Sequence, residues 1–211
     1  MSEFNKMSEM VIAGDFSSVK TLTQKMIDDN VDPISIINDG LMPGMNVVGA
    51  RFKAGDMFVP EVMMSAKAMA AGIELVKPLI AESNMPTAGK VVIGTVKGDL
   101  HDIGKKLVNM MLESAGFQIV DLGVDIAPAK FVEAVKEHKP QVIGMSALLT
   151  TTMLSMKDTI DALKEEGLRD SVKIIIGGAP VTQSFAEQIG ADGYAPDAAA
   201  ATDLCKQLSA K

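Results

Sequence analysis

Lys90-Val91-Val92-Ile93-Gly94-Thr95-Val96, followed by Lys97-Gly98-Asp99-Leu100-His101-Asp102-Ile103-Gly104, decides the reading of this chain. The first half is apolar and β-branched without polar alternation, as in a strand covered on both faces. After Gly104 the apolar residues Leu107, Met110, Met111 and Ala115 recur at helical spacing. The segment between is therefore a loop joining a buried strand to a helix. In an open parallel sheet, ligands bind at that end of the strands. One of only two histidines in the chain lies there, between two carboxylates.

Further strand-like runs follow at Gln118–Leu122, Gln141–Met145 and Val172–Ile176, with a weaker one at Gly193–Ala195. Helical patterns near 102–115, 128–138, 151–166, 181–189 and 197–208 separate and follow them. Alternation of this kind predicts a flavodoxin-like, doubly wound domain with a five-stranded parallel sheet in the order 2-1-3-4-5. The switch point then lies between the first and third strands. Lys97–Gly104 and Ser146–Thr152 flank it, and Gly177-Gly178-Ala179-Pro180 comes next.

The preceding residues read as helical throughout. Phe4, Met7 and Val11 form one stripe, stopped by Gly14-Asp15, and Phe16, Val19, Leu22 and Met26 form a second. Asp32-Pro33 opens a third, with Ile34, Ile37, Leu41, Met45 and Val48, which Pro43 is expected to kink. Gly49–Val59 reads as a turn-like segment. Pro60 starts a fourth helix, with Val62, Ala66, Met69, Ile73 and Val76 on one face. Four such helices predict a four-helix bundle over 1–85. A polar linker, 81–89, joins it to the α/β domain, 86–211.

Composition bounds the function. Of 211 residues, 47% are hydrophobic and 22% charged, as in a globular chain. A net charge of -7 argues against a nucleic-acid groove. No apolar run approaches the roughly 18 residues of a membrane span, and the N-terminus lacks the core of a signal peptide. With a single cysteine, Cys205, these features fit a cytoplasmic protein. The sixteen methionines fall mostly at core spacing. Neither a phosphate-binding Gly-x-x-x-x-Gly-Lys-Ser/Thr loop nor a Gly-x-Ser-x-Gly elbow occurs.

A neutral imidazole is a common metal ligand, and a carboxylate on its other nitrogen fixes the tautomer. Asp99 or Asp102 could supply that carboxylate, or either could cap the following helix. Zinc needs three or four protein ligands. His138 ends a helix far from these loops and Cys205 lies in the last helix, so both read as structural or solvent-facing. A metal on His101 would have to bring its other ligands with it, as a haem or a corrinoid does. Ser146, Thr150, Thr151 and Thr152 either cap a helix or bond a ligand.

Asp99-x-His101-x-x-Gly104, then Ser146-x-Leu148, then Gly177-Gly178, with intervals of 41 and 28 residues, resembles the signature of base-off, His-on cobalamin-binding domains. Met42-Pro43-Gly44-Met45-Asn46-Val47-Val48-Gly49 and Met57-Phe58-Val59-Pro60 resemble the helical cap of cobalamin-dependent methionine synthase. The resemblance spans nearly the whole chain. It is strongest to the small corrinoid proteins of methylamine, betaine and methanol methyltransfer systems.

The resemblance implies that His101 is the lower cobalt ligand and Asp99 its hydrogen-bond partner, with Thr152 at the end of the relay. Ser146 would lie by the displaced nucleotide tail, in a channel lined by Gly98, Leu148, Gly177 and Gly178. Leu100, Asp102, Gly104, Thr150 and Ala198 would be further cofactor-binding residues. Phe52 and Val59 match positions that cover the methyl-bearing face, and the cap would have to move about the linker to expose it. The implied function is a non-catalytic methyl carrier, with cobalt(I) methylated to methylcobalt(III) by a substrate-specific methyltransferase. A second methyltransferase would pass the methyl to a thiol or tetrahydropterin, and a reductive activase would be a third partner. The alternatives are a cobalamin-dependent sensor and the cobalamin-binding subunit of a mutase.

Overall fold

The computed structural model describes residues 2–80 and 86–210. It divides into two compact units, Met1–Thr87 and Ala88–Lys211, except that Ser114–Gly116 group with the first. Of the expected linker and its 85–86 boundary, residues 81–85 lie outside the described residues.

The helical unit holds α1 (Glu3–Ile12), α2 (Phe16–Asp28), α3 (Pro33–Ser35), α4 (Met42–Ala54) and α5 (Val59–Val76). Its starts are set by side chains that accept orphan N–H groups. Asp15 accepts from Ser18 N–H, Asp32 from Ser35 N–H, and Glu61 accepts from Phe58 N–H. α1 packs on α2 and α4, and α5 packs on the same two, closing a four-cornered bundle. Met7, Val11, Val19, Met26, Leu41, Val48, Val62 and Met69 fill its centre.

The structure redraws two features of this unit. Ahead of Pro43 the third helix changes its winding without ending. A π-helical stretch, Ile36–Leu41, runs directly into α4, with Met42 N–H donating to Ile37 C=O. The wide turn lies just ahead of the proline, which has no N–H to place in the ladder. Ile36 and Leu41, five apart, are thereby both buried. The turn is also shorter than Gly49–Val59, spanning only residues 55–58. α4 continues to Ala54 and ends at Gly55 in the left-handed conformation, φ 79°. Phe52 is thus a half-buried residue of the last turns of α4, while Val59 is the exposed first residue of α5.

The α/β unit holds β1 (Gly89–Thr95), α6 (Ile103–Ser114), β2 (Phe117–Asp121), α7 (Pro128–His138), β3 (Val142–Ser146), α8 (Leu154–Glu165), β4 (Lys173–Gly177), α9 (Gln183–Ile189), β5 (Gly193–Tyr194) and α10 (Ala198–Ser209). All strands are parallel, in the order β2-β1-β3-β4-β5. One core face packs Val92, Ile143, Ile174 and Ile176 of the sheet against Phe131, Met156, Ile160 and Leu163 of the helices. α8 begins three residues later than the periodicity predicts. Thr152 turns its side chain into the loop, and its N–H donates to Leu149 C=O in a turn that precedes the helix.

The register aligns the strand ends that matter. Thr95 pairs with Ser146, and Ser146 with Gly177. The three distinctive loops therefore emerge side by side on neighbouring strands. Gly178 lets two of them meet, with φ 132° and a position where a Cβ would lie 1.8 Å from the Ala147 carbonyl oxygen. Only glycine fits there.

Candidate functional site

Asp99 organises the loops. Its residue is fully buried, and its carboxylate accepts from five donors. Oδ1 accepts from the His101 backbone N–H at 3.1 Å and lies 2.7 Å from His101 Nδ1. Oδ2 accepts from Leu148 N–H at 2.8 Å, Leu149 N–H at 3.2 Å and the Thr152 hydroxyl at 2.7 Å. Burial pushes this carboxyl upward, but the hydrogen bonds from Thr152, His101 and Leu148 outweigh it and hold the group well below the usual carboxylate range.

An ionised carboxylate can only accept. The proton of the neutral imidazole therefore sits on Nδ1, and Nε2 presents a lone pair. Half of the His101 side chain is exposed. The backbone beneath the ring is held as well, because the buried Thr95 hydroxyl donates to His101 C=O at 2.9 Å. Asp102 is engaged elsewhere. It pairs with Lys106 one turn along α6, and that bond lowers its pKa. Of the two flanking carboxylates, the ring binds Asp99.

The remaining loop residues sit around this centre. Gly98 adopts φ 83°, and a Cβ there would touch the Thr152 methyl at 3.5 Å. Gly104 faces open space at the start of α6. Ser146 is half-buried at the end of β3, Thr150 is exposed, and Gly177 continues the backbone ladder into the Ser146 loop, its C=O accepting from Ala147 N–H at 3.2 Å. Ala198 is buried at the N-terminus of α10, three residues beyond Ala195, whose N–H pairs with Ile176 C=O. Phe52 and Val59 belong to the helical unit described above. Periodicity and motif spacing did not point to Thr95, Leu149, Asp121 or Asp125. Thr95 reaches the site from six residues before His101, whereas Leu149, Asp121 and Asp125 reach it through hydrogen bonds between segments distant in sequence.

Two features of these residues fit a corrinoid. Among the described residues no three His, Cys, Asp or Glu side chains gather to hold an ion. A single oriented imidazole suits a metal that carries its own equatorial ligands. Around the buried carboxylate, large aliphatic side chains lie open to solvent. Leu100 is 71% and Ile103 85% exposed, and Leu148 and Leu149 in the loop after β3 and Leu154 at the start of α8 are exposed as well. A wide, flat, largely apolar ligand would cover such a surface. No helix among the described residues is long and apolar enough to cross a membrane.

The class defined by this fold and site is a doubly wound module with one carboxylate-bound histidine at its switch point. Comparison with known proteins makes it specific. A family model described as a B12 binding domain matches residues 89–203, and a second model of the same description matches residues 3–77. A corrinoid protein of Desulfitobacterium hafniense is 44% identical over 100% of this chain and 99% of its own length. A dimethylamine corrinoid protein of Methanosarcina acetivorans is 51% identical over 85% of each chain. Among solved structures, a chain of the methanol:cobalamin methyltransferase complex of Methanosarcina barkeri superposes with a TM-score of 0.87 at 36% identity, covering 96% of this chain and 78% of that one. The chain belongs to the B12-binding family, among its corrinoid proteins, and cobalamin or a related corrinoid is the group it binds.

Proposed function

We propose that this protein is a corrinoid methyl carrier. It is loaded by a substrate-specific methyltransferase of the methylamine or betaine type and unloaded by a second methyltransferase toward a thiol or tetrahydropterin, with a reductive activase restoring it after oxidation. The bound corrinoid supplies the chemistry, a cobalt centre that gains and loses a methyl group. His101 offers Nε2 as the lower ligand. Asp99 keeps the proton on Nδ1, aims the ring, and makes the imidazole a stronger donor. Thr152 and the amides of Leu148 and Leu149 keep Asp99 ionised, so the ring retains an anionic partner throughout. Gly98, Leu100, Asp102, Gly104, Ser146, Leu148, Thr150, Gly177, Gly178 and Ala198 line the surface that receives the cofactor and its nucleotide tail.

The observation that carries this reading is the imidazole fixed through Nδ1 by a buried carboxylate, with Nε2 free among exposed leucines. The names of the relatives support the methylamine class of donor. Reconstitution with hydroxocobalamin, followed by capture and assay of the methyltransferase that co-purifies, tests it. Methyl transfer to the reconstituted protein from a methylamine or betaine in the presence of that enzyme is the expected result. Corrinoid binding with no methyl transfer from any such donor would contradict it.

A further inference from the structure

Two carboxylates, one at the end of β2 and one in the segment that follows it, grip the His101 loop at both of its ends. Asp125 is one of three non-glycine residues with positive φ among the described residues, at 55°. Glycine would adopt this backbone more cheaply. Aspartate has a use here, because its Oδ1 accepts from Gly98 N–H at 2.7 Å. Its own N–H donates to Asp99 C=O at 3.0 Å. One strained residue thus bridges the two residues that immediately precede Leu100 and His101.

Asp121, the last residue of β2, holds the other end. Its Oδ1 accepts from Lys105 Nζ and from Gly123 N–H, and Oδ2 accepts from Asn109 Nδ2 at 2.8 Å. The Lys105 side chain is 1% exposed. A cation in the first turn of a helix opposes the helix dipole and costs desolvation. Asp121 offsets both, and fixes the first turn of α6 against the sheet. Neither carboxylate has a part in holding the ring through Asp99.

We infer that the β2–α7 segment is a brace that positions His101 for the metal: Asp125 sets the loop before the histidine, and the Asp121–Lys105 pair sets the helix after it. The brace keeps Nε2 at one height and tilt, so that the ligand is aimed before the cofactor arrives. Asp121, Asp125 and Lys105 act through His101 and are positioning residues. This rests on the reading of His101 as the lower ligand.

The test uses the full chain. Asp125→Gly keeps the left-handed backbone and removes the acceptor, whereas Asp125→Asn keeps both. In the cofactor-free protein, amide hydrogen exchange at Gly98 is expected to rise at least tenfold in Asp125→Gly and to return toward wild type in Asp125→Asn. After loading with hydroxocobalamin and one-electron reduction, paramagnetic resonance reads the nitrogen splitting of an axial histidine. Wild type should show it and His101→Ala should not. Asp125→Gly should lose at least threefold of the histidine-ligated fraction, with Asp125→Asn restoring most of it and the thermal midpoint moving little. Asp121→Asn, which weakens the grip on Lys105, should lose about twofold. Full histidine ligation in Asp125→Gly, beside a ligated wild type, overturns the brace. Absence of the splitting in wild type itself overturns the ligand reading, and the brace with it.

Discussion

The two histidines lie at opposite ends of the same parallel sheet. His138 closes α7, just before Lys139 turns left-handed at φ 47° and the chain returns toward β3. Its charged neighbour is Glu137, 3.9 Å away and largely exposed. A cavity of about 460 Å³ lies beside it, lined by Val135, Lys136, Lys139, Pro140, Leu168 and Ser171. His101, at the carboxyl ends of the strands, has its ring, its N–H and its C=O all held, and rests on a carboxylate that five donors keep ionised. The residue type is the same at both ends. What separates the His101 ring from a helix-end histidine is the polar network beneath it. That network exists because parallel strands bring consecutive loops together at one edge only.

The contrast can be broken most severely at Gly178. Gly178→Ala should destabilise the α/β unit by roughly 3 kcal/mol or more, because the new Cβ collides with the Ala147 carbonyl and the backbone is one that glycine alone adopts. Urea unfolding followed by far-UV circular dichroism would measure it.

Asp99→Asn comes next, with a loss of about 1–3 kcal/mol at neutral pH from disrupted buried hydrogen bonds. Its pH dependence has a defined sign. The folded-state pKa of Asp99 is depressed, so its stabilisation is present above the unfolded value of about 3.9 and is lost as the pH falls below it. Wild type should therefore lose stability more steeply than Asp99→Asn between pH 5 and acid, at roughly the range set by those pKa values. Parallel slopes in denaturant titrations across that range would count against Asp99 as the paired carboxylate.

Thr152→Ala should cost about 1 kcal/mol by removing one buried donor to Asp99, and Thr152→Ser should recover most of it. The smallest effect belongs to the other end of the sheet. His138→Ala should change stability by less than about 0.5 kcal/mol and leave the spectrum of the bound corrinoid unaltered.

Much of this architecture was legible from the residues. Continuous β-branched runs such as Val91–Ile93 and Ile174–Ile176 read as strands covered on both faces, and the flavodoxin-like order expected from their alternation with helices is the order observed. The helical unit was legible in outline and wrong in detail. Gly49 and the charged residues after it mimic a turn, yet the helix stops only at Gly55, where left-handed geometry ends it. The π-helical stretch before Pro43 left no sign that a 3.6-residue period could register, since Ile36 and Leu41 share the core across a wide turn. At the site, local spacing marked Asp99 and His101 but left Asp102 as an equal candidate for the ring. Lys106, one turn along α6, is what engages Asp102. Asp121 and Asp125 were invisible to spacing because only the pairing of β1 with β2 brings their segment beside the His101 loop.

The central claim is that His101 Nε2 is the protein's ligand to the corrinoid metal. The most direct measurement is the paramagnetic resonance spectrum of the one-electron-reduced, cobalamin-loaded protein with uniformly 15N-labelled chain and unlabelled cofactor. The account predicts a doublet splitting from a single 15N nucleus that vanishes in His101→Ala. A triplet from the cofactor's own unlabelled nitrogen, or no axial nitrogen at all, would contradict it.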